Sequence, residues 1–176
     1  MSSTPTTTIT KSFVQDIPEN VKKLLELEFY VYSSTLIDNS NNGCWTTIVI
    51  NNKKQRFVLS GQLPNTNQNR CELTGIISSI QHIYEQYPDE NERNYIHINV
   101  MSKNVYCTNA LREWIYQWHT TQFQGKPNAD LLKEIFPLLQ QYRQNLIFKY
   151  EINNYLEYYT ICDNYNEKYY KQMFSS

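Results

Sequence analysis

The sequence predicts an α/β fold: one five-stranded mixed sheet flanked by helices. Three observations predict it. Three segments rich in β-formers lie close together near the start, separated by short turns. The later chain alternates helical and strand periodicities. The length, 176 residues, suits one domain with one core.

Residues 1–11 form a Ser/Thr-rich tail, expected to be disordered. Residues 12–176 are expected to form the single domain. Asp16 reads as a helix cap with Pro18 in the first turn, and Val21, Leu24, Leu25 and Leu27 give an extra N-terminal helix one apolar face. Residues 28–37 read as the first strand and NSNNG (39–43) as a turn. Residues 44–50 and 55–60, joined by Asn51-Asn52-Lys53, complete an antiparallel meander. In 70–87, Leu73, Ile76, Ile77, Ile80, Ile83, Tyr84 and Tyr87 recur at helical spacing. Residues 95–101 alternate as a strand; following a helix, they are expected to pair in parallel with the first strand. A helix is expected over 105–119, carrying Trp114 and Trp118. Another is capped by Asn128 and runs over 129–144, with Pro137 expected to kink or split it. Residues 146–152 read as a fifth strand, parallel like the fourth, and 163–174 as a final helix.

A net charge of −1 announces neither the basic face usual for duplex binding nor an acidic mimic. Cys44, Cys71, Cys107 and Cys162 are scattered and form no C-x-x-C pair, so free, mostly buried thiols in a reducing compartment are expected rather than zinc or disulfides. No signal peptide is visible, and no stretch approaches the ~18 apolar residues of a membrane span. The expectation is a cytoplasmic protein with no membrane partner. Asn, Tyr, Ile and Lys are the residues of AT-rich codons, and their abundance reads as genome composition.

Four local motifs follow one another on the expected elements: TNQNRCEL (66–73), WIYQW (114–118), KPNADL (126–131) and Asn166-Glu167. With the element order, they resemble the ribonuclease H family over roughly residues 28–173. That resemblance implies hydrolysis of RNA in a hybrid through two divalent ions held by four carboxylates. The matching positions here are Ser33, Glu72, Lys103 and Tyr170, so only one acid remains. The family's flexible-loop histidine is also missing, since the last histidine is His119. The resemblance therefore implies vestigial positions only: no catalytic residue, no metal and no cofactor. Lys103 either pairs with Glu72 in place of the lost metal or points to solvent. Asp38, Asp163 and Glu167 would, with Glu72, make a shifted cluster; the plainer reading is scattered surface acids. His82, His97 and His119 have no neighbouring ligand in sequence and read as surface, strand-face and helix-end residues.

The tyrosines near the C-terminus, Tyr155, Tyr158, Tyr159, Tyr165 and Tyr169, exceed what one small core requires. They are candidate binding residues, for bases or for a protein. The composition resembles that of genes on linear killer plasmids of yeasts, which encode tRNA-cleaving toxins and small immunity proteins. The leading expectation is thus a non-catalytic immunity protein with a nuclease toxin as partner. The alternative is a nucleic-acid-binding or weakly active, metal-dependent ribonuclease H relative.

Overall fold

The computed structural model describes residues 26–151 and 155–174. The expected tail, the expected N-terminal helix except its last two residues, and the end of the expected fifth strand lie outside them. Strands β1 (Leu27–Ile37), β2 (Gly43–Asn51), β3 (Arg56–Leu63), β4 (Ile96–Ser102) and β5 (Leu146–Tyr150) form one sheet in the order β3-β2-β1-β4-β5. The first three pair antiparallel; β4 runs parallel to β1, and β5 parallel to β4. This is the expected mixed sheet.

Short polar side chains close the two hairpins. Asp38 Oδ1 accepts from the amides of Ser40 and Asn42 at 2.9 and 2.8 Å, and Asn41 takes a left-handed φ of 63°. Asn51 Oδ1 accepts from the amides of Lys53 and Gln55, each at 3.0 Å. The β1–β2 register that results pairs Tyr32 with Ile48 and Ser34 with Thr46.

The helices are α1 (Gln68–Glu85), a short α2 (Glu90–Arg93), α3 (Val105–Asn109), α4 (Ile115–His119), α5 (Ala129–Gln141) and α6 (Leu156–Phe174). Helix α1 packs on β1, β2 and β3, and its apolar stripe meets the alternate residues Phe29, Val31, Val49, Ile98 and Val100 in the main core. Full burial of each such side chain contributes about 1.5–3 kcal/mol. Strand alternation turns Tyr32 and Ser34 to the other face, where α6 lies on β1 and β2.

Three local expectations need correction. Residues 105–119 are not one α-helix, because Ala110–Trp114 winds as a π-helix between α3 and α4. Pro137 lies inside α5 without splitting it. The final helix begins at Leu156, well before residue 163; Tyr155, at φ 63°, turns the chain into it. All four cysteines are buried and unpaired. Among the described residues no helix is long and apolar enough to cross a membrane.

Candidate active-site cleft

Asn67 caps α1, its Oδ1 accepting from Arg70 N at 2.9 Å. That start places Glu72 in the opening turns of the helix, pressed toward the sheet and only 4% exposed. Ser102 ends β4 in step with Ile98 and Val100, so its side chain also faces α1. Its Oγ donates to Glu72 Oε1 at 3.1 Å and accepts from Asn104 N at 3.0 Å. Asn104 caps α3 through Cys107 N, and its Nδ2 donates to Asn69 Oδ1 at 2.9 Å. A continuous chain of hydrogen bonds thus joins Asn69, Asn104, Ser102 and Glu72.

Burial pushes the Glu72 carboxyl up to about 7, because desolvation disfavours its charge. The Ser102 hydrogen bond, the nearby Ser33 hydroxyl and the charge of Lys103 oppose that shift, whereas Asp163 adds to it. Ser33 Oγ is close enough to favour the charged carboxylate, yet it is buried without a well-formed hydrogen bond. Asp163 lies on α6 and accepts a short hydrogen bond from Ser34 Oγ. Its own side of β1 is the α6 side, but its charge reaches Glu72. Two carboxylates therefore flank the centre of β1: Glu72 buried, Asp163 at the surface.

Several positions expected to form the site are rearranged. Ser33 and Glu72 come together as expected. The residue of β4 that faces Glu72 is Ser102, not Lys103; strand alternation directs only one of two neighbours to that side. Among the described residues Lys103 forms no salt bridge with Glu72. Its Nζ lies 4.6 Å from the Tyr159 ring centroid. Tyr170 donates its hydroxyl to Asp38 Oδ2 at 3.2 Å, whereas Asp163, two turns earlier on α6, accepts from Ser34 Oγ. Of the suggested shifted cluster, only Asp163 acts on Glu72.

The tyrosines split into three environments. Tyr159 is core, 1% exposed. Tyr155 and Tyr158 lie 5.0 and 4.6 Å from the Tyr32 ring, Tyr158 stacked on it. Tyr165 and Tyr169 stack on each other along α6 at 6.1 Å.

Beside the cleft, Arg70 joins two of the sequence motifs. Its guanidinium donates to both Asp130 oxygens at 3.0 and 2.7 Å and to Asn128 Oδ1 at 3.2 Å. Asn128 thus serves Arg70 rather than capping α5, where it makes no side-chain cap. Among the described residues no three His, Cys, Asp or Glu side chains gather into a metal-holding group. The oxygen donors nearest Glu72 on the two faces of β1 are Asp163 and the hydroxyls of Ser33, Ser34 and Ser102.

A family model described as RNase H matches residues 26–152. The ribonuclease H of Campylobacter jejuni (strain RM1221) is 28% identical over 131 residues, covering 74% of this chain and 82% of the relative. That of Thiobacillus denitrificans is 26% identical over 120 residues, covering 65% and 74%. Among solved structures, LC11-RNase H1, isolated from compost, aligns with a TM-score of 0.63 at 10% identity, covering 84% of this chain and 99% of that one. The foamy viral protease-reverse transcriptase in complex with dsDNA aligns with a TM-score of 0.63 at 12% identity, covering 85% and 95%.

These relatives overturn the expectation of a pseudoenzyme acting as an immunity protein or antitoxin. They carry the name of an enzyme, and it is the name of a nuclease rather than of a nuclease inhibitor. The AT-rich composition behind the killer-plasmid reading reports codon usage and carries no information about a binding surface.

Proposed function

The chain belongs to the RNase H family, and on that premise we propose that it acts on nucleic acid, binding RNA–DNA hybrid at the Glu72 cleft and cutting the RNA strand slowly with a divalent ion. The observation that carries this reading is Glu72 itself. A carboxylate so buried is costly, yet Ser102 and its hydrogen-bonded neighbours fix it in place.

The four-carboxylate site that the resemblance implied holds two ions, and two carboxylates do not fit that arrangement. They do fit one. A hard ion such as Mg²⁺ commonly takes one or two protein carboxylates and completes its shell with water and substrate phosphate. Here Glu72 and Asp163 would hold it, with the seryl hydroxyls as neutral neighbours. Such an ion supplies Lewis-acid activation of a phosphoryl oxygen when bound. Ser102 holds the Glu72 carboxylate in a single orientation. Ser34 does the same for Asp163. The Asn69–Asn104 pair brings amide groups to the edge of this network, as a polar nucleic-acid groove requires. The same relative in fold, LC11-RNase H1, has also been solved in complex with RNA/DNA hybrid, which supports hybrid as the ligand to test.

The test is binding of fluorescently labelled RNA–DNA hybrid, duplex DNA and single-stranded RNA, read by anisotropy. The reading expects hybrid to bind most tightly, with affinity falling as salt rises. Equal affinity for duplex DNA, or no binding, would remove it.

A further inference from the structure

Away from Glu72 the fold holds a half-open cavity of about 360 Å³, between the β2–β3 hairpin and the C-terminal end of α1. It lies about 16 Å along the α1 axis from Glu72, and no residue of the candidate active site lines it. Two ring pairs form its walls: Phe57 meets His82 at 5.2 Å and Phe29 meets Tyr87 at 6.3 Å, both edge to face. Phe29, Asn51 and Ile83 are buried at the floor, whereas Gln55, Arg56 and Gln86 are exposed at the rim. Asn51 accepts from the amides of Lys53 and Gln55 and donates to Gln55 Oε1 at 2.8 Å, which fixes the hairpin wall. Among the described residues the Gln86 side chain has no hydrogen-bond partner. No carboxylate lines the cavity. The Arg56 guanidinium lies 6.0 Å from the Tyr158 ring centroid and makes no ion pair among the described residues. The adjoining turn adds Lys53 and Lys54.

We propose that this cavity binds a mononucleotide: the base enters between the ring pairs, the amides of Gln55 and Gln86 meet its polar edge, and Arg56 holds the phosphate at the rim. Every base has a π-face that gains free energy by stacking on aromatic side chains. A side-chain amide presents a donor and an acceptor together, which matches the edge of a base. A rim with three cations and no acid attracts one phosphate and repels a cationic ligand. The C-terminal end of α1 carries partial negative charge, so the phosphate belongs at the hairpin, where Arg56 lies, and not at the helix. The volume falls near the lower end of the range for small-molecule sites, which suits one nucleotide and not a strand. The cavity is separate from the Glu72 cleft, so this site stands or falls independently of hybrid binding there.

The experiment is an NMR titration of isotope-labelled protein with adenosine monophosphate, adenosine and ribose phosphate, each to about 10 mM, so that affinities down to millimolar are seen. It follows the side-chain amides of Gln55 and Gln86 and the backbone amides of Phe57, His82 and Tyr87. Wild type, Arg56→Gln and Gln86→Ala are compared, each checked for an unchanged thermal transition. Adenosine monophosphate is expected to move these signals in wild type, adenosine to bind roughly tenfold more weakly for want of a charge-assisted hydrogen bond, and ribose phosphate to leave them in place. Arg56→Gln should bind adenosine monophosphate only as well as adenosine, with adenosine itself unaffected; Gln86→Ala should weaken both. The proposal is overturned if adenosine monophosphate moves none of these signals, or if Arg56→Gln binds it as tightly as wild type does. A phosphorylated trinucleotide that bound here more tightly than adenosine monophosphate would also overturn it, and would assign the cavity to the end of a strand.

Discussion

Under α1 the sheet is mainly apolar, with Thr47–Ser79 and Ser102–Glu72 as its buried polar contacts. Val31, Val49, Ile98 and Val100 meet Leu73, Ile76, Ile80 and Ile83, none more than 2% exposed. Under α6 the contact is mixed. Tyr32, Met101 and Tyr159 form a small cluster, and the rest is polar: Ser34 to Asp163, Thr46 to Asn166 at 2.7 Å, Tyr170 to Asp38 at 3.2 Å. That face also leaves Tyr159 OH and Asn166 Nδ2 buried without partners. One face thus provides stability through area, whereas the other sets where side chains point. The candidate site lies between them, with Glu72 from the first and Asp163 from the second.

The largest effect should come from the apolar face. Ile80→Ala removes a fully buried side chain and should lower unfolding free energy by about 2–5 kcal/mol in a urea titration. A loss below about 1 kcal/mol would show that this face is not the main source of stability.

Glu72→Gln should act in the opposite direction. Burial raises this carboxyl from its ordinary 4.5 to about 7, so the folded state binds a proton more tightly than the unfolded one. Its contribution is most favourable below about 4.5 and is lost as pH rises to about 7. In metal-free buffer at pH 8, Glu72→Gln should therefore stabilise the fold by roughly 3 kcal/mol, and the gain should shrink steadily in acid. A gain independent of pH would mean that charge burial is not its cause.

On the α6 face, Tyr159→Phe deletes a hydroxyl with no partner and keeps the ring. It should leave stability unchanged or raise it by up to about 1 kcal/mol. A clear loss in thermal unfolding would show that the hydroxyl is satisfied in solution.

The smallest effect belongs to the exposed Arg70–Asp130 pair. The Arg70 hydrogen bonds hold Asp130 down at about 2, so its contribution is present above the ordinary aspartate range and lost as pH falls through about 2. Asp130→Asn should cost less than about 1 kcal/mol at neutral pH, because solvent screens the pair. The difference from wild type should close in acid; a difference that persisted at low pH would point to packing instead.

The same contrast explains what the sequence disclosed. The α1 face was legible because apolar residues recur at fixed spacing, and so were the meander and the parallel fourth strand. The α6 face was not, because Ser34–Asp163 and Thr46–Asn166 are polar contacts with no period. The start of α6 was missed for a related reason: Tyr155 at positive φ carries none of the usual capping signal. Glu72 was found through its motif. Ser102 was missed by one residue, although the alternation of Ile98 and Val100 marks it as the inward side chain. Asp163 read as one of several scattered acids, because it carries no motif of its own and its partner Ser34 is distant in sequence.

Action on hybrid through Glu72 and Asp163, as proposed above, is open to direct measurement. The direct measurement is cleavage of end-labelled RNA in an RNA–DNA hybrid, with Mn²⁺ titrated from zero, by wild type, Glu72→Gln and Asp163→Asn. Wild type is expected to cut slowly and only with the divalent ion, and both substitutions are expected to abolish cutting while hybrid binding persists. Wild type that leaves the RNA intact at every Mn²⁺ concentration, or cutting that survives in Glu72→Gln, would contradict it.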